Sequence, residues 1–159
     1  MVLAVAGCKK NNPAPQWARY FMSATINGKA WQVKGYGTAY FAIYTNSPTG
    51  NMLSITGSDM TKSDTLCRFI SLSFYSKPKI GTYYFNNSGS ILPVGGVMAT
   101  YLYDRGPQTI DKWSTGGHVD ISQITDNEIK GDFTCTLVGD ANDTTTTTIT
   151  NGKFDVINE

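Results

Sequence analysis

From residue 20 to residue 157 apolar and polar side chains alternate with a period of two, and no stretch repeats with the 3.6-residue period of a helix. Tyr20, Met22, Ala24 and Ile26 oppose Phe21, Ser23 and Thr25. Ile70, Leu72 and Phe74 mark one side of residues 66–75, and Ile129, Phe133, Cys135 and Leu137 one side of residues 128–137. Alternation of this kind sends successive side chains to opposite faces of a strand, one towards a core and one towards water. The same reading predicts strands over 31–36, 39–45, 51–57, 81–85, 97–103, 117–122, 144–150 and 153–157. Asn-Gly occurs at 27–28 and again at 151–152. A type I′ turn needs positive φ at both central residues, so each dipeptide predicts a tight hairpin. Over 104–114 the pattern is open: Asp104-Arg105-Gly106-Pro107 breaks a strand, and a loop is expected to run on to Asp111. The chain is therefore predicted to be all-β, a single antiparallel β-sandwich or barrel of about ten short strands. Within residues 149–157, Phe154 and Val156 should be buried and Lys153, Asp155 and Ile157 should face outward, which makes this segment a strand pair and not a tail.

Composition agrees with the pattern. Glu occurs only at positions 128 and 159, while Thr, Tyr, Phe and Gly abound, so helix formers are scarce and strand formers common. The formal charge is +1, from 13 basic and 12 acidic residues, and the basic ones are scattered singly or in pairs. A phosphate backbone is bound by a clustered basic face, so no nucleic-acid partner is expected. No run approaches the roughly 20 apolar residues of a membrane-spanning helix.

The amino terminus changes the picture more. Residues 2–8 read VLAVAGC, an apolar run followed by two small residues and Cys8. This is the pattern of a bacterial lipobox, in which the cysteine is lipidated and becomes the new amino terminus. The expectation is a signal-peptide remnant over 1–7, a tether over 8–19 containing Pro13 and Pro15, and a β domain over 20–159. Seven residues before Cys8 are few for a leader with a basic region and an apolar stretch, so the expected start lies further upstream. A protein anchored to a membrane through lipid at Cys8 belongs in the cell envelope, as an outer-membrane lipoprotein. Lys9-Lys10-Asn11 lacks an acidic surface-export run, which favours the periplasmic face.

Four segments carry a likeness. MSATINGKAW (22–31), GTYYFNN (81–87), TGGHVDISQITDNEIKGDF (115–133) and ITNGKFDVI (149–157) resemble a family of uncharacterised lipoproteins from Bacteroidota-type bacteria. The resemblance spans nearly all of residues 20–157 and consists of strand and turn patterns. It implies export, anchoring and a β fold; it implies no reaction and transfers no functional residue.

Candidate chemistry is sparse. His118 is the single histidine, and alternation sets it near Asp120 on the outward side of a strand. Asp120 and Asp132 could face each other across an antiparallel pair, which makes a carbohydrate-active hydrolase the alternative to a non-catalytic binding domain. No G-x-S-x-G is present, and one histidine falls short of a His-based metal site, so no catalytic residue, metal or cofactor is assigned. The loop Asp140-Ala141-Asn142-Asp143 is oxygen-rich but lacks the spacing of a calcium loop. Aromatic residues are the better lead, because exported β domains bind sugars by stacking on exposed rings. Of Trp17, Trp31 and Trp113, Trp31 alternates with Val33 and is expected in the core, whereas Trp113 is expected at a loop–strand junction. Tyr83 and Tyr84 must point to opposite faces, so one of them should reach solvent. The candidate binding residues are Trp113, Tyr84, His118 and Asp120, with a glycan or an envelope protein as partner. Cys67 and Cys135 are an even pair in an oxidising compartment; alternation sets them on opposite faces, and a bulge near Arg68 would be needed to bridge them.

Overall fold

The computed structural model describes residues 20–35, 39–47, 50–60, 67–85, 96–104, 109–139 and 143–158. Cys8, the tether and Trp17 lie outside the described residues. Among the described residues there are ten strands and no helix. They are β1 (Phe21–Ile26), β2 (Lys29–Lys34), β3 (Ala39–Ser47), β4 (Gly50–Met60), β5 (Cys67–Phe74), β6 (Gly81–Tyr84), β7 (Val97–Asp104), β8 (Thr109–Ile124), β9 (Glu128–Val138) and β10 (Thr146–Asn158). All-β architecture and the number of strands match the sequence reading.

The strands form one curled sheet. Ladders run β10–β3–β4–β5–β7–β8, and β9 joins β8 back to β10, so the sheet curls into a barrel. Its seam is the β10–β3 pairing, the single parallel one, with Ile157 opposite Tyr40 and Asn158 opposite Phe41. β1 and β2 extend from β10, and β6 pairs with β8 beyond the point where β7 leaves it. The inner face is apolar: Met22, Trp31, Leu53, Ile55, Ile70, Leu72, Phe74, Val119, Ile121, Phe133, Leu137, Ile149, Phe154 and Val156 are buried. β4 and β5 are also covered on their other face, where Ser54, Thr56, Ser58, Ser71 and Ser73 are buried and the Ser54 and Ser71 hydroxyls lie 2.7 Å apart.

The two Asn-Gly dipeptides have different fates. Asn27 (φ 47°) and Gly28 (φ 79°) form the expected type I′ turn, with Ile26 opposite Lys29. The second dipeptide corrects the sequence reading. Residues 144–150 and 153–157 are not two hairpin strands; β10 runs straight through Asn151-Gly152. Asn151 (φ 51°) is one extra residue relative to both neighbours: Ile149 pairs with Cys135 and Gly152 with Phe133, while Thr25 pairs with Thr150 and Ser23 with Lys153. A bulge of this kind slips the alternation by one, so Thr147 and Ile149 face inward before it and Gly152, Phe154 and Val156 after it. Gly152 is needed there, since a Cβ would lie 2.6 Å from Cδ1 of Phe133. The hairpin tip of β1 and β2 docks on the same strand: Asn27 N–H donates to the Thr148 carbonyl at 2.9 Å, and Thr148 N–H donates to Asn27 Oδ1 at 2.8 Å.

The interior of β10 is packed by aromatic rings, with the Phe133 and Phe154 centroids 6.3 Å apart. Replacing a buried Phe by Ala costs about 3–5 kcal/mol once the cavity is included. Phe154→Ala is expected to lower the urea midpoint by a corresponding amount. Lys153→Ala, at an exposed position of the same strand, should shift stability by less than about 0.5 kcal/mol. Equal midpoints for the two variants would show that β10 is not part of the core. Asp155 is no such neutral control, because its carboxylate is 3.0 Å from Lys130 Nζ.

Candidate ligand-binding face

β6 is a four-residue strand on the outer rim of β8, with Thr82 opposite Asp120 and Tyr84 opposite His118. Alternation turns Tyr83 inward, where its ring meets Phe74 edge-on at 5.3 Å, and turns Tyr84 outward to 73% exposure. On β8, Val119 and Ile121 are buried, so His118 and Asp120 project from the outer face. There they meet: His118 Nε2 lies 3.4 Å from Asp120 Oδ2, and the Tyr84 and His118 rings are 6.1 Å apart and tilted by 57°. The Thr82 hydroxyl donates to Asp120 Oδ1, fixing the carboxylate. Three of the four candidate residues thus form one solvent-facing patch. Thr82 belongs to it as well, and its position two residues before Tyr84 on the same face was the available signal.

Trp113 belongs to the same outer face but not to the patch. It lies inside β8, opposite Thr100 and Val138, and not at the loop–strand junction expected from the sequence, because β8 begins at Thr109. A bulge between Ser114 and Gly116 slips the alternation, so that positions five apart, Trp113 and His118, share a face. Five strand residues still separate them by about 16 Å. Trp113 is half-buried.

Asp120 and Asp132 are direct cross-strand partners, as anticipated. Both point outward from the sheet, and neither is among the residues that line the cleft at the end of the barrel. Like charges placed opposite each other in this way destabilise a sheet modestly. Among the described residues no group of three or more His, Cys, Asp or Glu side chains could hold a metal ion.

An open cleft of about 580 Å³, unmarked by any motif, lies at the end of the barrel where β8 turns into β9. Lys77, Pro78, Lys79 and Ile80 form one wall and Ile124, Thr125 and Asp126 the other.

The opposite end is polar. Lys112, 4% exposed, donates from Nζ to the Thr145 carbonyl (2.5 Å) and hydroxyl (2.6 Å) and lies 3.0 Å from Asp143 Oδ2. The Asp143 contact is electrostatic, since Oδ2 has no well-aligned hydrogen bond of its own. Nearby, Arg68 and Asp59 pair across β4 and β5 at 2.7 Å, and Tyr101 stacks on Tyr103 with centroids 6.5 Å apart. Asp143 came from the oxygen-rich loop considered for a cation, whose other residues lie outside the described set; its carboxylate is engaged by Thr145 and Lys112.

Cys135 is buried with a free thiol, so the bridge considered with Cys67 is not formed. Their registers explain this: Cys135 sits between Gly117 and Ile149, Cys67 between Met60 and Asp104, with β7 and β8 intervening between β5 and β9. Burial pushes the Cys135 thiol up to about 12, leaving it unreactive.

Set against models of protein families, curated proteins and solved structures, the chain finds no match in any of the three.

The Thr145 side chain first, then Lys112 and the Thr145 backbone, hold the Asp143 carboxyl down at about 2. A carboxylate depressed in the folded state contributes stability above its unfolded value, and that contribution is lost as pH falls through the folded one. Between about pH 4 and pH 2 the domain should therefore lose stability through this group, and Asp143→Asn should flatten that part of the profile. Parallel profiles for the two proteins would contradict the clamp.

Proposed function

We propose that the chain is a lipid-anchored envelope protein whose domain binds glycans without catalysing a reaction, at the periplasmic face of the outer membrane. The observation that carries the binding half is Tyr84, a large ring 73% exposed on a short strand and flanked by His118 and Asp120. A ring held open this way offers an apolar face to the C–H face of a sugar, while the neighbouring imidazole and carboxylate can hydrogen-bond its hydroxyls. The placement of Asp120 and Asp132 supports binding over hydrolysis. Glycoside cleavage needs carboxylates on opposite sides of the scissile bond, whereas these two stand side by side on one outward face. The anchoring half rests on VLAVAGC and on the resemblance of the strand and turn motifs to exported lipoproteins.

A glycan-binding screen on the whole chain is expected to yield a ligand. Tyr84→Ala should weaken that ligand by about tenfold, the factor given by ~1.4 kcal/mol, without releasing reducing ends in either protein. Unchanged affinity in Tyr84→Ala would remove the platform from the account. Mass spectrometry of the membrane fraction, after expression with a complete leader, is expected to show acylated Cys8; an unmodified Cys8 would refute the anchor.

A further inference from the structure

The cleft end of the barrel combines three features that the glycan face does not use. First, Ile80 is 66% exposed, and it is not exposed through looseness. The Tyr83 hydroxyl accepts from Lys79 N–H at 2.6 Å and donates to the Lys79 carbonyl at 2.9 Å, so one phenol pins the backbone immediately before Ile80. Across the cleft the β8–β9 turn is equally fixed: Thr125 N–H donates to the Glu128 carbonyl at 2.8 Å, and Glu128 N–H donates to the Thr125 hydroxyl at 3.0 Å. Second, Lys77 and Lys79 precede Ile80 on the same wall and are exposed, and no ion pair among the described residues involves either. Asp126 is the one acidic residue of the lining, on the far wall.

Third, the domain begins at this end. Phe21 pairs with Asp155, Asp155 with Lys130, and Lys130 with Gln123, one residue from Ile124 of the cleft. Tyr20 therefore stands at the level of the cleft, whereas the polar Lys112–Asp143 end is at the far side of the sheet. The 12 residues from Cys8 to Tyr20 reach at most about 40 Å, so a membrane holding an anchor at Cys8 lies within reach of this end.

We propose that this end docks on a lipid surface bearing anionic headgroups, with Ile80 at the headgroup–acyl boundary and Lys77 and Lys79 on the headgroups. The inference rests on the lipid-anchor reading for the direction in which the membrane lies. The chemistry is that of peripheral membrane contacts, in which an apolar side chain is buried at the interface and flanking lysines neutralise anionic lipid. Both lysines line the cleft and are exposed, and a lysine stem can cover apolar surface while its charge stays in water.

The test uses the whole 159-residue chain without lipid modification, so that its outcome does not depend on acylation of Cys8. Co-sedimentation with phosphatidylcholine vesicles containing phosphatidylglycerol is compared with pure phosphatidylcholine. Binding is expected to the anionic vesicles alone and to weaken with added salt. Lys77→Gln and Lys79→Gln should each lower the partition coefficient about fivefold, and Ile80→Ser should lower it further, with unchanged thermal unfolding since all three side chains are exposed. No binding, equal binding to both vesicles, or binding untouched by the three variants would overturn the proposal. So would a soluble short-chain fatty acid that saturates the cleft in a chain that ignores vesicles, which would make the cleft a small-molecule site. Acylated Cys8 in a chain that ignores vesicles would leave the anchor standing and this proposal refuted.

Discussion

The fold depends on the backbone of β10 being satisfied along both edges while the sheet curls. One edge is paired with β9 from Thr146 to Ile157; the other takes β1 and then, at Ile157 and Asn158, β3. A flat 13-residue strand could not serve three partners lying in different directions. The extra residue at Asn151 bends it, increases its twist and resets which side chains face inward. β8 uses the same device twice, with register slips at 114–116 and 121–123 against β9. The two longest ladders, β9–β10 and β8–β9, thus carry the curvature that returns β3 to β10 and removes open sheet edges there.

That device also explains which parts of the architecture were legible in the sequence. Regular alternation identified β1, β5 and β9 with their inward residues, and the span of β7, because each keeps one phase. A bulge breaks the phase, and at Asn151-Gly152 a one-residue slip coincides with turn chemistry. The tripeptide Asn-Gly-Lys is a hairpin tip at 27–29 and a mid-strand bulge at 151–153. Locally the two are indistinguishable; what separates them is the ring of Phe133 over Gly152 and the partners on both sides, which are tertiary facts. The same limit applies at the site. His118 and Asp120 lie between the two slips of β8, so alternation sets them on one face; that Tyr84 meets them depends on the pairing of β6 with β8, which no local pattern marks. Trp113 lies across a bulge, and Lys112 falls in the stretch 104–114 where the pattern is open, although it is a strand residue buried on Thr145. The cleft joins residues more than forty positions apart and has no motif.

The body is apolar within, and among the described residues β8, β9 and β10 are charged without. Lys130, Asp132, Lys153 and Asp120 all stand on the outer face of β8, β9 and β10. On these three strands the arrangement is the reverse of the outer apolar band of a membrane-spanning barrel. The two ends of the body differ in kind. Buried Lys112 and the Arg68–Asp59 pair make one end a satisfied polar cap, and the rigid Ile80 cleft makes the other an unsatisfied apolar rim. On the functional reading proposed above, the ligand face would lie along the side of the barrel, clear of a membrane at the cleft end.

The central claim is that β10, bulge included, is the element whose loss unfolds everything else. Native-state hydrogen exchange tests it most directly, since each amide reports the opening that exposes it. The protected amides of residues 152–156 on β10 should exchange only through global unfolding, with free energies equal to that from urea titration and no lower than those of Ile70 and Leu72 on β5. Exchange at residues 152–156 through a smaller opening, while β5 remains protected, would mean that β10 detaches on its own and that the barrel does not depend on it.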